Sequence, residues 1–150
     1  MAKRKKLSYR SGALKGPALV AAAKRIAEAA HRGQYREDRR TPYITHPGEV
    51  VAANRGDYKT EAIGWLHDVL EHTRVGIQDL KKAGFPQDVI EDVCRLSHLS
   101  NISYQRYLAK VKRRARTRKI KIADMLSNLR ETRNPADIFR YSKGLLYLFS

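Results

Sequence analysis

At 150 residues the chain holds one domain of ordinary size, and its 42% hydrophobic and 31% charged residues exclude a disordered or low-complexity protein. The single cysteine, Cys94, excludes an internal disulfide and any four-cysteine zinc site, and no apolar run reaches the ~20 residues that span a bilayer. With 31 Lys and Arg against 15 Asp and Glu, the net charge of +16 predicts polyanionic partners, whether nucleotide, RNA or DNA, without choosing among them. A cytoplasmic location without a membrane partner is the expectation, because residues 1–6 lead into no apolar segment that could serve as a signal peptide.

Residues 1–15 are basic and lack apolar periodicity, which predicts an N-terminal arm, with the domain running from 16 to 150. From 17 to about 32, Leu19, Val20, Ala23, Ile26, Ala27 and Ala30 mark an amphipathic helix with Pro17 in its first turn and Gly33 as its stop. Residues 34–46 read as an exposed loop that returns Tyr43 and His46 to the core. Pro47 opens a second helix ending near Arg55 or Gly56, and residues 60–72, TEAIGWLHDVLEH, form a central apolar helix with Thr60 as cap candidate. Further helices are predicted at 77–83, 87–98, 103–113, 115–130 and 135–148, the last opened by Pro135. No alternating segment is long enough for a sheet, so the fold class is all-α, a single-domain helical bundle.

The chemistry is carried by His67 and Asp68, two metal-competent side chains inside an apolar helix. A buried carboxylate is costly unless it is paired or bound to a metal, and a neutral imidazole beside it is a ready ligand. The remaining ligands must come from other helices. His46 stands at the start of one, and Asp124 lies among Ile120, Ile122, Ala123, Leu126 and Leu129 in another, where a carboxylate also needs a partner. Two His and two Asp suit Mn, Fe, Co or Zn better than Mg.

Four segments, AHRGQYR (30–36), TPYITHP (41–47), WLHDVLEHT (65–73) and KIKIADMLSNLR (119–130), resemble in order the motifs of the HD-domain phosphohydrolases, and among them the hydrolase domain of RelA/SpoT-type alarmone enzymes and their small relatives. The resemblance implies an HD-type bundle with a metal site between helices, in which His46, His67, Asp68 and Asp124 bind one Mn2+ ion. It implies that Glu71 is the catalytic carboxylate, and helix geometry supports the role independently: four residues after His67 and three after Asp68, Glu71 lies on the face of the metal site, one turn along. His72 stands where the family has a second acid, and is the other catalytic candidate, able to act near neutral pH.

Substrate contacts are expected from Asn128, four residues after Asp124, and from Arg36, which matches the position that packs on the purine. Tyr43, near the same pocket or in the core, and Lys121, three residues before Asp124, complete the candidates. His31 reads as a helix-end residue bonded to backbone and His98 as solvent-facing or at a helix end. The basic run 110–121 fits a solvated helix face, a phosphate-binding surface or a nucleic-acid surface. The implied activity is removal of the 3′-pyrophosphate of ppGpp or a related nucleotide, with no synthetase segment after the domain. A basic HD scaffold that binds nucleic acid is the competing expectation.

Overall fold

The computed structural model describes residues 12–99 and 101–150, and among them it is all-helical, with nine helices. The arm expected at 1–15 lies mostly outside the described residues. Within it, Leu14 already packs on the core and its N–H donates to the Gly84 carbonyl. No helix among the described residues is long and apolar enough to cross a membrane.

Helix α1 (Gly16–Ala30), with Pro17 in its first turn, buries the stripe Leu19, Ala23 and Ala27 against α3 (Tyr58–Leu66). Helix α3 also contacts α2 (Thr45–Ala52), α6 (Gln87–Leu96) and α8 (Ala115–Glu131), so it forms the centre of the bundle. Ile63, Leu66, Val89, Val93, Ile120 and Met125 fill the space between these helices. Helices α5 (Ile77–Ala83), α7 (Tyr104–Lys112) and α9 (Pro135–Phe149) complete the bundle, and Asn134 caps α9 by accepting from Ala136 N.

Two sequence expectations need correction. The helix foreseen over 60–72 is broken: α3 stops at Leu66 and a separate turn, α4 (Val69–His72), follows Asp68. Side chains of neighbouring residues on a continuous helix diverge by about 100°, so His67 and Asp68 could not both face one point; at Asp68 the backbone departs to φ −106, ψ −5 and they do. The cap of α3 is Asp57, whose carboxylate accepts from Thr60 N, while Thr60 is buried inside the helix and donates its hydroxyl to Asp57.

The loop before α2 is more ordered than its polar sequence suggests. Tyr35 and Pro42 form an isolated antiparallel bridge, and the Asp38 carboxylate ties the tip by accepting from Arg40 N, Thr41 N and the Thr41 hydroxyl. Those hydrogen bonds hold its pKa down at about 2.

Candidate metal centre

Close approach of α2 and α3 sets the site. A Cβ on Gly64 would stand 2.9 Å from Val51 Cγ2, so only glycine lets the two helices meet at this distance. The same residue orients a ligand: His67 Nδ1 donates to the Gly64 carbonyl at 2.7 Å, which turns Nε2 toward His46 on α2.

The structure brings His46, His67, Asp68 and Asp124 together, one ligand atom from each lying within 4.8 Å of all the others. His46 Nε2 is 2.9 Å from Asp124 Oδ1 and 3.5 Å from Asp68 Oδ2. His67 Nε2 is 3.2 Å from Asp68 Oδ2, 3.5 Å from Asp124 Oδ1 and 3.3 Å from His46 Nε2. Donors bound at roughly 2.0–2.2 Å to a shared ion are separated by about 3.0–3.5 Å, so this set fits a divalent first-row metal. Two imidazole nitrogens facing each other at 3.3 Å, with carboxylates on either side, call for a positive charge between them.

The electrostatics agree. Burial opposes ionisation of Asp68, but His67 and His46 outweigh it and hold the carboxyl well below its usual range. Asp124 is likewise held low against the cost of burial, chiefly by Lys121, whose Nζ lies 2.7 Å from Oδ2. Burial would lower both imidazole pKa values, yet the two carboxylates raise them above the ordinary value.

The other candidates divide. Tyr43 donates its hydroxyl to Asp68 Oδ2 at 2.5 Å, and burial together with the Asp68 charge pushes the phenol far up, so it remains a donor. Asn128 donates to Asp124 Oδ1 at 3.2 Å. Lys121 and Asn128 therefore both touch a ligand of the cluster.

Arg36 is almost wholly buried: Nη1 pairs with Glu49 at 3.1 Å, Nε with Glu131, and Nη2 donates to Ser127. It lines a cavity of about 350 Å³ shared with Tyr35, Tyr43, His46 and Asn128.

Glu71 and His72 lie outside the four-residue cluster. The break at Asp68 removes the face-sharing argument for Glu71, whose Oε1 accepts from His98 N at 2.5 Å. His72 is 53% exposed, with Nε2 3.6 Å from Glu71 Oε2 and its carbonyl accepting from Gln34.

His31 is buried against Tyr43, and its Nδ1 meets the Gln34 side chain at 2.8 Å where backbone was expected. His98 is half-buried, stacked on Tyr107, and donates from Nε2 to the Ile102 carbonyl. In the basic run, Arg114 and Arg116 pair with Asp92 and Lys121 with Asp124, so three of its eight basic side chains already serve the fold or the site.

Sequence reasoning missed Ser127 and Glu49. Ser127 Oγ contacts His46 Nδ1, Glu49 and Arg36. A signal was available: each stands three residues after a ligand on the same helix, Asp124 for Ser127 and His46 for Glu49, on the face the ligand uses.

No protein-family model matches the chain. Among curated proteins, it is 36% identical over 110 residues to a guanosine-3′,5′-bis(diphosphate) 3′-pyrophosphohydrolase of Borreliella burgdorferi, a match covering 69% of this chain and 14% of that protein. It is 33% identical over 123 residues to a GTP pyrophosphokinase of Streptomyces coelicolor, covering 74% and 14%. To the bifunctional (p)ppGpp synthase/hydrolase SpoT of Escherichia coli it is 37% identical over 83 residues, covering 53% and 12%. The chain thus spans about one seventh of the length of the curated relatives it matches.

A solved structure of a metazoan ortholog of SpoT that hydrolyzes ppGpp superposes with a TM-score of 0.74 at 25% identity, covering 91% of this chain and 88% of that one. Nearly full mutual coverage by one all-helical fold, together with the sequence matches to SpoT-type enzymes, places this chain among the HD-type, RelA/SpoT hydrolase-like domains.

Proposed function

We propose that this chain is a cytoplasmic, Mn2+-dependent pyrophosphohydrolase that removes the 3′-pyrophosphate of (p)ppGpp or a closely related nucleotide. The observation that carries the reading is the convergence of His46, His67, Asp68 and Asp124 from three separate segments onto one point, at separations a divalent ion would span. The names of the relatives supply the substrate class: two act on guanosine 3′-diphosphates by name, and the solved neighbour hydrolyzes ppGpp.

A divalent ion held by these four residues supplies a Lewis acid that makes water nucleophilic near neutral pH and polarises the phosphoryl group. The mixed nitrogen and oxygen donors favour Mn2+ or another first-row metal over Mg2+. Tyr43 fixes the Asp68 carboxylate, while Lys121 and Asn128 fix that of Asp124, so the ligands are held in place before substrate arrives.

By the family resemblance, Glu71 takes the proton of the attacking water. One of its oxygens is anchored by His98 N, leaving the other, beside His72, for proton transfer. Water adds to the phosphorus next to the ribose, the bond from that phosphorus to the 3′-oxygen breaks, and the leaving oxygen takes up a proton, giving pyrophosphate and the 3′-hydroxyl nucleotide. The cavity beside Arg36 receives the base and sugar, with Asn128 between that cavity and the metal centre.

The test is pyrophosphate release from ppGpp, pppGpp, ppApp and ordinary nucleotides with added Mn2+, comparing wild type with Asp68→Ala. Turnover of a 3′-pyrophosphorylated nucleotide by the wild type alone is the expected result. Absence of Mn-dependent turnover across the panel would overturn the reading.

A further inference from the structure

Ser127 is fully buried one turn after Asp124, and its hydroxyl is the meeting point of three groups. Its Oγ lies 2.9 Å from His46 Nδ1, 2.5 Å from Glu49 Oε2 and 3.2 Å from Arg36 Nη2. A hydroxyl carries one proton, and at 2.5 Å the Glu49 carboxylate, which can only accept, claims it ahead of an imidazole nitrogen at 2.9 Å that can also donate. The oxygen lone pairs are then left for two donors, His46 Nδ1–H and Arg36 Nη2–H. This order places the proton of a neutral His46 on Nδ1 and its lone pair on Nε2, the nitrogen that faces His67, Asp68 and Asp124.

The same hydroxyl and the same carboxylate also hold Arg36. Glu49 receives Arg36 Nη1 at 3.1 Å as well as the Ser127 proton. Arg36 in turn lines the cavity of about 350 Å³ beside the metal centre. A ligand that draws the guanidinium toward itself withdraws a hydrogen bond from Ser127 and a positive charge from Glu49, and both changes reach His46 through one oxygen atom.

We propose that Ser127 is a positioning residue that sets His46 for metal binding and, with Glu49, couples the metal centre to the Arg36 cavity, so that a purine nucleotide and the metal ion change each other's affinity. The inference rests on the metal-dependent reading above and adds regulation of that same site. It requires reciprocity: whatever factor the nucleotide imposes on metal affinity, the metal imposes on nucleotide affinity.

The experiment is calorimetric titration of Mn2+ into wild type, Ser127→Ala, Glu49→Ala and the double variant, each with and without saturating GDP, after circular dichroism has shown the helical fold. Ser127→Ala is expected to weaken Mn2+ binding about 10- to 100-fold, the usual range for losing a partner behind a metal-bound histidine. Glu49→Ala is expected to weaken it in the same direction although Glu49 touches no ligand of the cluster. The double variant should match the worse single variant, because both changes cut one chain of hydrogen bonds.

GDP is expected to shift the Mn2+ affinity of the wild type and to leave that of Ser127→Ala unmoved, a readout that a merely structural serine would not alter. Should Ser127→Ala fail to fold, the partly exposed Glu49→Ala carries the same comparison. A folded Ser127→Ala or Glu49→Ala with wild-type Mn2+ affinity would overturn the positioning role. An equal GDP effect in wild type and variant would overturn the coupling. A wild type that binds no divalent metal would overturn the metal-dependent function itself, and this inference with it.

Discussion

Two buried carboxylate centres meet α8, one at its start and one at its middle, and they are balanced in opposite ways. Asp92 on α6 is 1% exposed and has two arginines, Arg114 at 3.0 Å and Arg116 at 3.2 Å, so its charge is met by the chain itself. Asp124 has one cation of the chain, Lys121, Asp68 pairs with no lysine or arginine among the described residues, and both carboxylates face the imidazoles of His46 and His67. The first centre is closed and holds α6 against the start of α8. With neutral imidazoles, the second has two negative charges against one positive, an imbalance that a bound divalent ion would correct.

The largest expected effects separate the centres by what each substitution damages. Asp124→Asn keeps the shape of the side chain and removes a ligand charge; turnover should fall by about 10³-fold or more, since metal polarisation contributes several kcal/mol at 1.36 kcal/mol per tenfold. Asp92→Ala should leave turnover per folded molecule within about twofold but cost about 2 kcal/mol in urea unfolding, as the two partly exposed arginines can turn to water. The crossed result, activity lost at Asp92 and stability lost at Asp124, would break the distinction between a structural and a functional carboxylate.

Metal removal sharpens it further. An ion present at 100 times its Kd stabilises the folded chain by about 2.7 kcal/mol. A chelator should therefore lower the unfolding temperature of wild type and of Asp92→Ala by the same amount, and leave Asp124→Asn unmoved. A chelator effect on all three would place the ion somewhere other than the four-residue cluster.

The candidate metal centre was the more legible of the two clusters in sequence. A His–Asp doublet inside the apolar run 60–72 cannot be an ordinary solvent face, and the motif containing Asp124 repeats that anomaly. Asp92 gave no such signal, because in QDVIEDVCRL it lies among acids that read as the polar side of an amphipathic helix. Its burial comes from arginines 22 and 24 residues away, a tertiary fact with no local trace.

The helices themselves followed from apolar periodicity and proline placement, whereas the break at Asp68 did not. Nothing in the residue types of 60–72 opposes a continuous helix; the need of two adjacent side chains to meet one point does. Ser127 and Glu49 were missed because a serine and a half-exposed glutamate look unremarkable until the loop carrying Arg36 closes over them.

The pH response offers a smaller effect with a definite sign. Burial alone would lower the pKa of His46 and His67, but Asp124 and Asp68 raise both above 6.5. A protonated imidazole cannot ligate, so the ion must displace its proton. Metal affinity should be greatest above the raised values and fall as pH drops through them. Calorimetry from about pH 6 to pH 8.5 in buffers of different ionisation heat should show proton release on Mn2+ binding. A flat profile would mean that the imidazoles are already neutral before metal arrives.

The smallest effects test redundancy. Arg114→Ala removes one of two cations from Asp92, and because Arg116 remains and Arg114 is 45% exposed, it should cost less than about 1 kcal/mol. Tyr43→Phe removes the hydroxyl that donates to Asp68 Oδ2, and no other side chain outside the cluster bonds that oxygen among the described residues. Mn2+ affinity should fall about 10-fold without a matching loss of stability, since the ring still packs against His31 and His46. If Tyr43→Phe instead binds metal as the wild type does, Asp68 is held by its backbone turn alone. The break between α3 and α4, and not the tyrosine, would then be what aims the ligand.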